Sequence, residues 1–302
     1  MMPVMLADYR NGGYAVRVYA DGTKTRDTVD ASMPPVLPEQ MDLKITDWCD
    51  AKCAWCHEKS TVRGKHGDVD AMLALLTQLP PGAEIAIGGG DPLSHPEFER
   101  LVRGLSAHGL IPSVTVHGKH FERHLPVLKR LTDDKCLYGV GVSYAGSIPD
   151  WDYPHLVLHL VTGVHSPSAL DDAERRVKVL LLGYKQFGRG AQHYLTHAKR
   201  VNANLDAWRR ELFWVAREHH LSFDNLAIEQ LQPERLFASP DAYGRRYMGQ
   251  EGMFSMYVDG VTQTFGVSSY SPHRMAWSDM ATMFAAVRSQ VGLPTAEFAE
   301  AA

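Results

Sequence analysis

The chain has 302 residues, 45% of them hydrophobic, which is long enough for one large α/β domain with a sizeable core. A net charge of −4 and the lack of any long basic run argue against a broad nucleic-acid-binding face, and the longest apolar stretches, 156–161 and 177–182, are too short to span a membrane. Residues 1–10 carry no basic segment followed by a signal-length apolar run, so a reducing cytoplasmic location is expected.

In chain order, the strand-like segments 14–19 and 24–29 flank Asp21-Gly22, a strong hairpin signal. An N-terminal β-hairpin arm is therefore expected, joined by residues 33–38, whose three prolines exclude a helix. From Met41 on, strands and helices alternate, the pattern of a mostly parallel sheet covered by helices. The strands fall at 41–46, 84–87, 112–116, 138–143, 156–162 and 177–182, and the intervening helices show apolar residues at helical spacing, such as Phe98, Leu101, Val102 and Leu105. Six such units predict a partial (β/α)6 barrel rather than a closed eightfold one. After it come an amphipathic helix through Leu205, Trp208, Leu212, Val215 and His219, a strand or buried segment at 227–231, a second hairpin around Asp259-Gly260, and a last helix at 280–287. The expected division is a 1–38 arm and linker, a 39–202 barrel core and a 203–302 C-terminal α+β extension.

Three of the four cysteines, Cys49, Cys53 and Cys56, lie in a C-x3-C-x2-C run directly after the first barrel strand. Thiolates this close read as a metal or iron–sulfur site rather than as disulfides. One reading is a structural zinc knuckle with His57 as fourth ligand, although such sites commonly pair two CxxC knuckles. The other is a cubane cluster, where three thiolates leave one iron open to a small molecule. The second strand runs into Gly88-Gly89-Gly90-Asp91, a bare turn that lets a ligand approach the main chain. Functional groups of such barrels gather at the C-terminal strand ends. There lie the cysteines, the glycine turn, His117, Ser143, Thr162 and Lys185.

Together the two motifs resemble the radical S-adenosylmethionine (SAM) superfamily, whose members carry C-x3-C-x-aromatic-C after the first barrel strand and Gly-Gly-Glu-Pro after the second. Trp55 fills the aromatic slot and Gly89-Gly90-Asp91-Pro92 the second motif, with aspartate in place of glutamate. Cys56-His57-Glu58-Lys59-Ser60-Thr61, Gly64-Lys65-His66-Gly67-Asp68, Lys185-Gln186-Phe187-Gly188-Arg189-Gly190 and Asp224-Asn225-Leu226-Ala227-Ile228-Glu229-Gln230 look like a little-described subgroup without a cysteine-rich C-terminal extension. The resemblance implies a radical SAM partial barrel, a [4Fe-4S] cluster on Cys49, Cys53 and Cys56, and S-adenosyl-L-methionine bound at its open iron. It further implies reductive cleavage of SAM to a 5′-deoxyadenosyl radical that abstracts hydrogen from the substrate.

Trp55, Gly88, Gly89, Gly90 and Asp91 are then candidate cofactor contacts, and Ser143 a ribose contact. Lys185 and Arg189, in a glycine-punctuated loop with Gln186, are candidate cations for SAM carboxylate or an anionic substrate. His57, His117, His120, Glu229 and Tyr257 are weaker candidates beside the site, and Cys136 reads as a buried core thiol. The expected partners are a small-molecule, nucleotide-like or peptide substrate and an electron donor such as flavodoxin or ferredoxin. The competing functions are a radical-generating activase for a partner protein and a non-catalytic zinc-stabilised binding protein.

Overall fold

The computed structural model describes residues 3–173 and 176–296; the outermost residues of the expected terminal regions lie outside these. A three-stranded antiparallel sheet comes first, β1 (Met5–Asn11), β2 (Tyr14–Tyr19) and β3 (Lys24–Thr28). The expected hairpin is its β2–β3 half. The additional β1 pairs through a two-residue Gly12-Gly13 turn, with Gly12 at φ +57°, a signal as local as Asp21-Gly22.

The second sheet has ten strands. Its parallel centre is β4 (Gln40–Lys44), β5 (Glu84–Gly88), β6 (Ile111–His117), β7 (Gly139–Ser143), β8 (Leu156–Val161) and β9 (Lys178–Leu182), each paired with the next in chain order. These are the six expected barrel strands. Between them run α1 (Val69–Leu76), α2 (Phe98–Ala107) and α3 (Gly118–Asp133), and α4 (Arg189–Glu218) follows β9. Residues 202 and 203 both lie inside α4.

Two more parallel strands extend the barrel. β10 (His220–Phe223) pairs with β9, and β11 (Ser255–Asp259) pairs with β4 from the other side. β12 (Thr264–Gly266) and β13 (Met275–Ala276) continue antiparallel from β11. The amphipathic helix therefore stops at Glu218, one residue before the expected His219, which is its C-terminal cap. The 227–231 segment, expected as a strand or buried segment, is the end of helix α5 (Asn225–Leu231), with Ala227 and Leu231 buried one turn apart. A short apolar run does not separate strand from helix by period, and the Asp224 carboxylate capping Ala227 N–H decides for helix. The short α6 (Pro240–Gly244) and α7 (Met280–Gln290) complete the chain.

Strand alternation shapes the site. Ile85 and Ile87, Val114 and Val116, Val140 and Val142 are buried in the main core. Leu158, Leu160, Val179 and Leu181 are buried in a second one against α4, where Trp208 is fully buried. Each such side chain contributes about 1.5–3 kcal/mol. The alternate positions, among them Asp42, Ala86, Ser113, Thr115, Gly141 and His159, face the inner side of the partial barrel. That side carries small and polar residues, with the His159 ring lying over Gly141.

The N-terminal sheet sits at the opposite edge. Arg26 makes a two-nitrogen contact with the fully buried Glu39, just before β4, at 3.0 and 2.7 Å, and Lys24 pairs with Glu84 at the start of β5. Among the described residues no helix is long and apolar enough to cross a membrane.

Candidate active site

Residues 46–66 leave β4 as a loop pinned at its base. Asp47 N–H donates to Lys65 O at 2.8 Å, Cys49 N–H to Thr61 O at 3.0 Å and Thr61 N–H to Asp47 O at 3.0 Å. Gly64 has no room for a Cβ, which would stand 2.1 Å from the Asp47 carbonyl. The tip carries Cys49, Cys53 and Cys56, all free and half-buried. Burial pushes the thiols of Cys49 and Cys53 above their ordinary pKa, so deprotonation falls to a bound metal.

The donor set fits a cluster better than a single ion. Among the described residues the group of three or more ligand atoms lying within 4.8 Å of one another is Asp50, Asp91 and His120, so the three sulfurs do not all lie within that distance of one another. One tetrahedral zinc, about 2.3 Å from each sulfur, needs them closer, whereas a cubane holds its thiolates on different irons. His57 does not complete a zinc knuckle either. Its Nε2 lies 3.1 Å from Ser269 Oγ and 3.5 Å from Glu58 Oε1. Burial, then Lys185, Lys44 and Arg274, hold its pKa well below the usual range, so the ring is neutral.

The 183–190 segment grips this loop from behind. Arg189 donates from its backbone to Cys56 O at 3.0 Å, from Nε to Cys53 O at 3.1 Å and from Nη1 to Ser60 O at 3.0 Å. Gly188, at φ +59°, has the His57 carbonyl where a Cβ would sit. The grip is itself held by α5. Asp224 Oδ1 accepts from Gly183 N–H at 2.9 Å, and the Gln230 amide accepts from Tyr184 N–H at 2.8 Å and donates to Tyr184 O at 3.1 Å. Two of the four resembling stretches thus act as one relay onto the cysteine loop. Glu229, the candidate in that stretch, is exposed, and its neighbour Gln230 carries the contact.

The three glycines differ in what they face. A Cβ on Gly89 would lie 2.5 Å from Thr46 O and one on Gly90 2.1 Å from Trp48 O, while one on Gly88 meets nothing within 4 Å. Two glycines let the turn pack on the cysteine loop, with Gly90 N–H and Asp91 N–H donating to Thr46 O and Trp48 O at 2.7 Å each. The third leaves space on the inner face. The Asp91 side chain turns away toward α3, fully buried. Its Oδ2 accepts from Arg123 at 2.5 Å and Ser94 at 2.6 Å and lies 3.1 Å from His124 Nε2, while Oδ1 has no partner. His120 Nε2 lies 2.6 Å from Asp50 Oδ1 and its Nδ1 3.3 Å from Asp91 Oδ2, the latter without hydrogen-bond alignment.

His117 ends β6 with its Nε2 3.2 Å from Cys53 Sγ. Burial, then His120 and Lys119, lower its pKa. Ser143 stands opposite His117 in the β6–β7 register. The Trp55 ring meets His165 at 6.1 Å and His193 at 6.0 Å, both edge-on, and His165 is held neutral, near pKa 4, chiefly by burial. His193 and His197 form an H-x3-H pair with rings stacked at 4.2 Å; their Nδ1 atoms are engaged by the Tyr184 and Thr196 hydroxyls.

Lys185 reaches the C-terminal region instead of the cysteines. Its Nζ donates to Ser269 Oγ at 3.0 Å and lies 5.2 Å from the Tyr270 ring. Lys44 sits among Asp47, Glu58 and Asp259 at 2.6, 3.0 and 3.1 Å. Tyr257 donates to Glu58 at 3.1 Å beneath the Arg274 guanidinium. His159 lies over Gly141, where a Cβ would be 2.2 Å from its ring, and burial holds it near pKa 4. Cys136 lies at the far edge, half-buried rather than wholly buried, near Arg103.

A family profile described as the Radical SAM superfamily matches residues 43–143. No curated protein matches the sequence. Among solved structures, Streptococcus suis SuiB bound to the precursor peptide SuiA is 10% identical, with TM-score 0.56 over 83% of this chain and 65% of that one. SuiB bound to S-adenosylmethionine is 12% identical, with TM-score 0.53 over 85% and 69%. The chain thus spans about two thirds of the length of these neighbours, which share its fold. The matched segment runs from β4 to β7, about a third of the chain, and carries all three loop cysteines and the glycine turn; over that segment the chain is similar to the radical SAM superfamily.

Proposed function

We propose that the chain is a radical SAM enzyme in which Cys49, Cys53 and Cys56 hold a [4Fe-4S] cluster and the glycine turn receives SAM. The observation that carries this reading is the placement of three free thiols on a pinned loop beside a turn whose Gly88 faces open space. When bound, the cluster would supply the electron for reductive cleavage of SAM and the radical that follows. The chain's own work is to hold and orient. Arg189 and the α5 relay fix the loop, Gly89 and Gly90 bring the turn against it, and Trp55 and Ser143 line the cofactor side. We assign Asp91 to holding the turn, because its Oδ2 is engaged by Ser94 and by Arg123 of α3, Arg189 to holding the cysteine loop, and Lys185 to joining the 183–190 segment to Ser269.

Among small-molecule, nucleotide-like and peptide substrates we favour a peptide, in keeping with the fold shared with SuiB, whose structure holds a precursor peptide. An electron donor such as flavodoxin or ferredoxin and a cytoplasmic location belong to the same proposal. The test is anaerobic reconstitution of Cys49→Ala, Cys53→Ala, Cys56→Ala and Cys136→Ala. We expect the first three to lose the cluster and the release of methionine and 5′-deoxyadenosine, and the fourth to keep both. Full SAM cleavage by any loop variant, or one zinc per wild-type chain without cleavage, would overturn the reading.

A further inference from the structure

We propose that His117 is a positioning residue for Cys53: its Nε2–H donates to the Cys53 sulfur and thereby raises the reduction potential of the cluster. The inference rests on the reading of the three cysteines as cluster ligands.

The tautomer follows from the helix start. His117 is the N-cap of the 16-residue α3, in extended backbone at φ −75° and ψ 136°, and its Nδ1 accepts from the Lys119 N–H at 3.2 Å. A nitrogen that accepts carries no proton, so the one proton of the ring sits on Nε2. That atom lies 3.2 Å from Cys53 Sγ. A thiolate sulfur accepts such a bond, and no acceptor on the imidazole remains to compete for it. The placement is also built in. Gly118 has no room for a side chain, since a Cβ would be 2.9 Å from both Ser143 O and Ala145 Cβ, so the β6–α3 junction seats closely on the end of β7. The His120 ring flanks His117 at 5.6 Å.

The consequence is electrostatic. Reduction adds one negative charge, spread partly onto the sulfurs, and a fixed N–H dipole stabilises the reduced form more than the oxidised one. The amino-terminal end of α3 adds positive partial charge in the same direction. The chain thereby eases an electron transfer that a buried, uncompensated site would oppose.

The experiment compares wild-type, His117→Asn and His117→Gln holoprotein by EPR-monitored redox titration. Asparagine keeps an acceptor for the α3 cap but its amide stops short of the sulfur, while the glutamine amide reaches the position of Nε2. We expect Asn to make reduction about tenfold less favourable, a fall of 59 mV for one electron, and Gln to restore at least half of the shift. As a measurement that needs no variant, pulsed EPR of reduced wild-type protein labelled with 15N-histidine should show a coupled histidine nitrogen. An Asn variant whose reduction equilibrium stays within twofold of wild type, a Gln variant that falls as far as Asn, or no coupled histidine nitrogen would overturn the proposal with the cluster assignment intact. A wild-type chain that assembles no cluster would overturn both.

Discussion

The Asp91 carboxylate is buried at the end of the glycine turn, with Oδ2 held by Arg123 and Ser94. Burial alone would raise its pKa, but hydrogen bonds from His124, Ser94 and Arg123 outweigh burial and hold the carboxyl well below the usual carboxylate range. A depressed folded pKa contributes stability that is present above the unfolded value, about 3.9, and lost as pH falls through the folded one. Asp91→Asn should therefore cost about 2 kcal/mol at pH 7, allowing for the partly exposed Arg123. The gap to wild type should close from about pH 5 downward in urea unfolding measured at several pH values. A gap that stays constant down to pH 3 would show that the carboxylate is not held charged by this network.

The glycine turn is the element whose three positions make opposed demands. Gly90→Ala forces a Cβ against the Trp48 carbonyl and should destabilise the fold by about 3 kcal/mol, with loss of iron loading, because the turn and the cysteine loop share the Gly90 and Asp91 N–H contacts. Gly88→Ala meets no atom and should leave thermal unfolding unchanged within about 0.5 kcal/mol, while weakening SAM binding measured by calorimetry on the reconstituted protein. Equal losses of stability in the two variants would refute this division. The 183–190 loop follows the same logic, since Gly188 admits the His57 carbonyl and Arg189 then closes on the loop.

Across the whole molecule, Lys44 ties the barrel to its C-terminal completion. It joins β4 to Asp47 and Glu58 of the cysteine loop and to Asp259 at the end of β11. Burial would lower its pKa, but Glu58, Asp47 and Asp259 outweigh that and raise it, so its contribution persists through neutral pH and is lost only in strong alkali. Lys44→Met leaves three carboxylates facing one another and should cost about 3–5 kcal/mol at pH 7. Thermal unfolding of Lys44→Arg, which keeps the positive charge, should show a clearly smaller loss than Lys44→Met. Equal losses in the two variants would assign the effect to packing. Ser269 works at the same scale, joining His57 beside Cys56 to Lys185 beyond β9.

The cysteine spacing, the glycine turn, the six barrel strands and the placement of their loops on one edge were determined by the sequence itself, because ligand spacing and strand period are local properties. Tertiary structure alone decided which residues meet across long separations. Cys53 and His117 are 64 positions apart, Arg189 and Cys53 136, and His57 and Ser269 212. Nothing in a run of neighbours marks one histidine of fifteen as the one that reaches a cysteine sulfur. The same holds for β11, whose local pattern is half of a hairpin and whose parallel pairing with β4 is set by the open edge of the barrel. Lys185 and Arg189 were legible as cations at a strand end. Their partners were not, because a hydroxyl from the C-terminal region and the loop carbonyls come within reach only after the sheet has curved and α5 has docked.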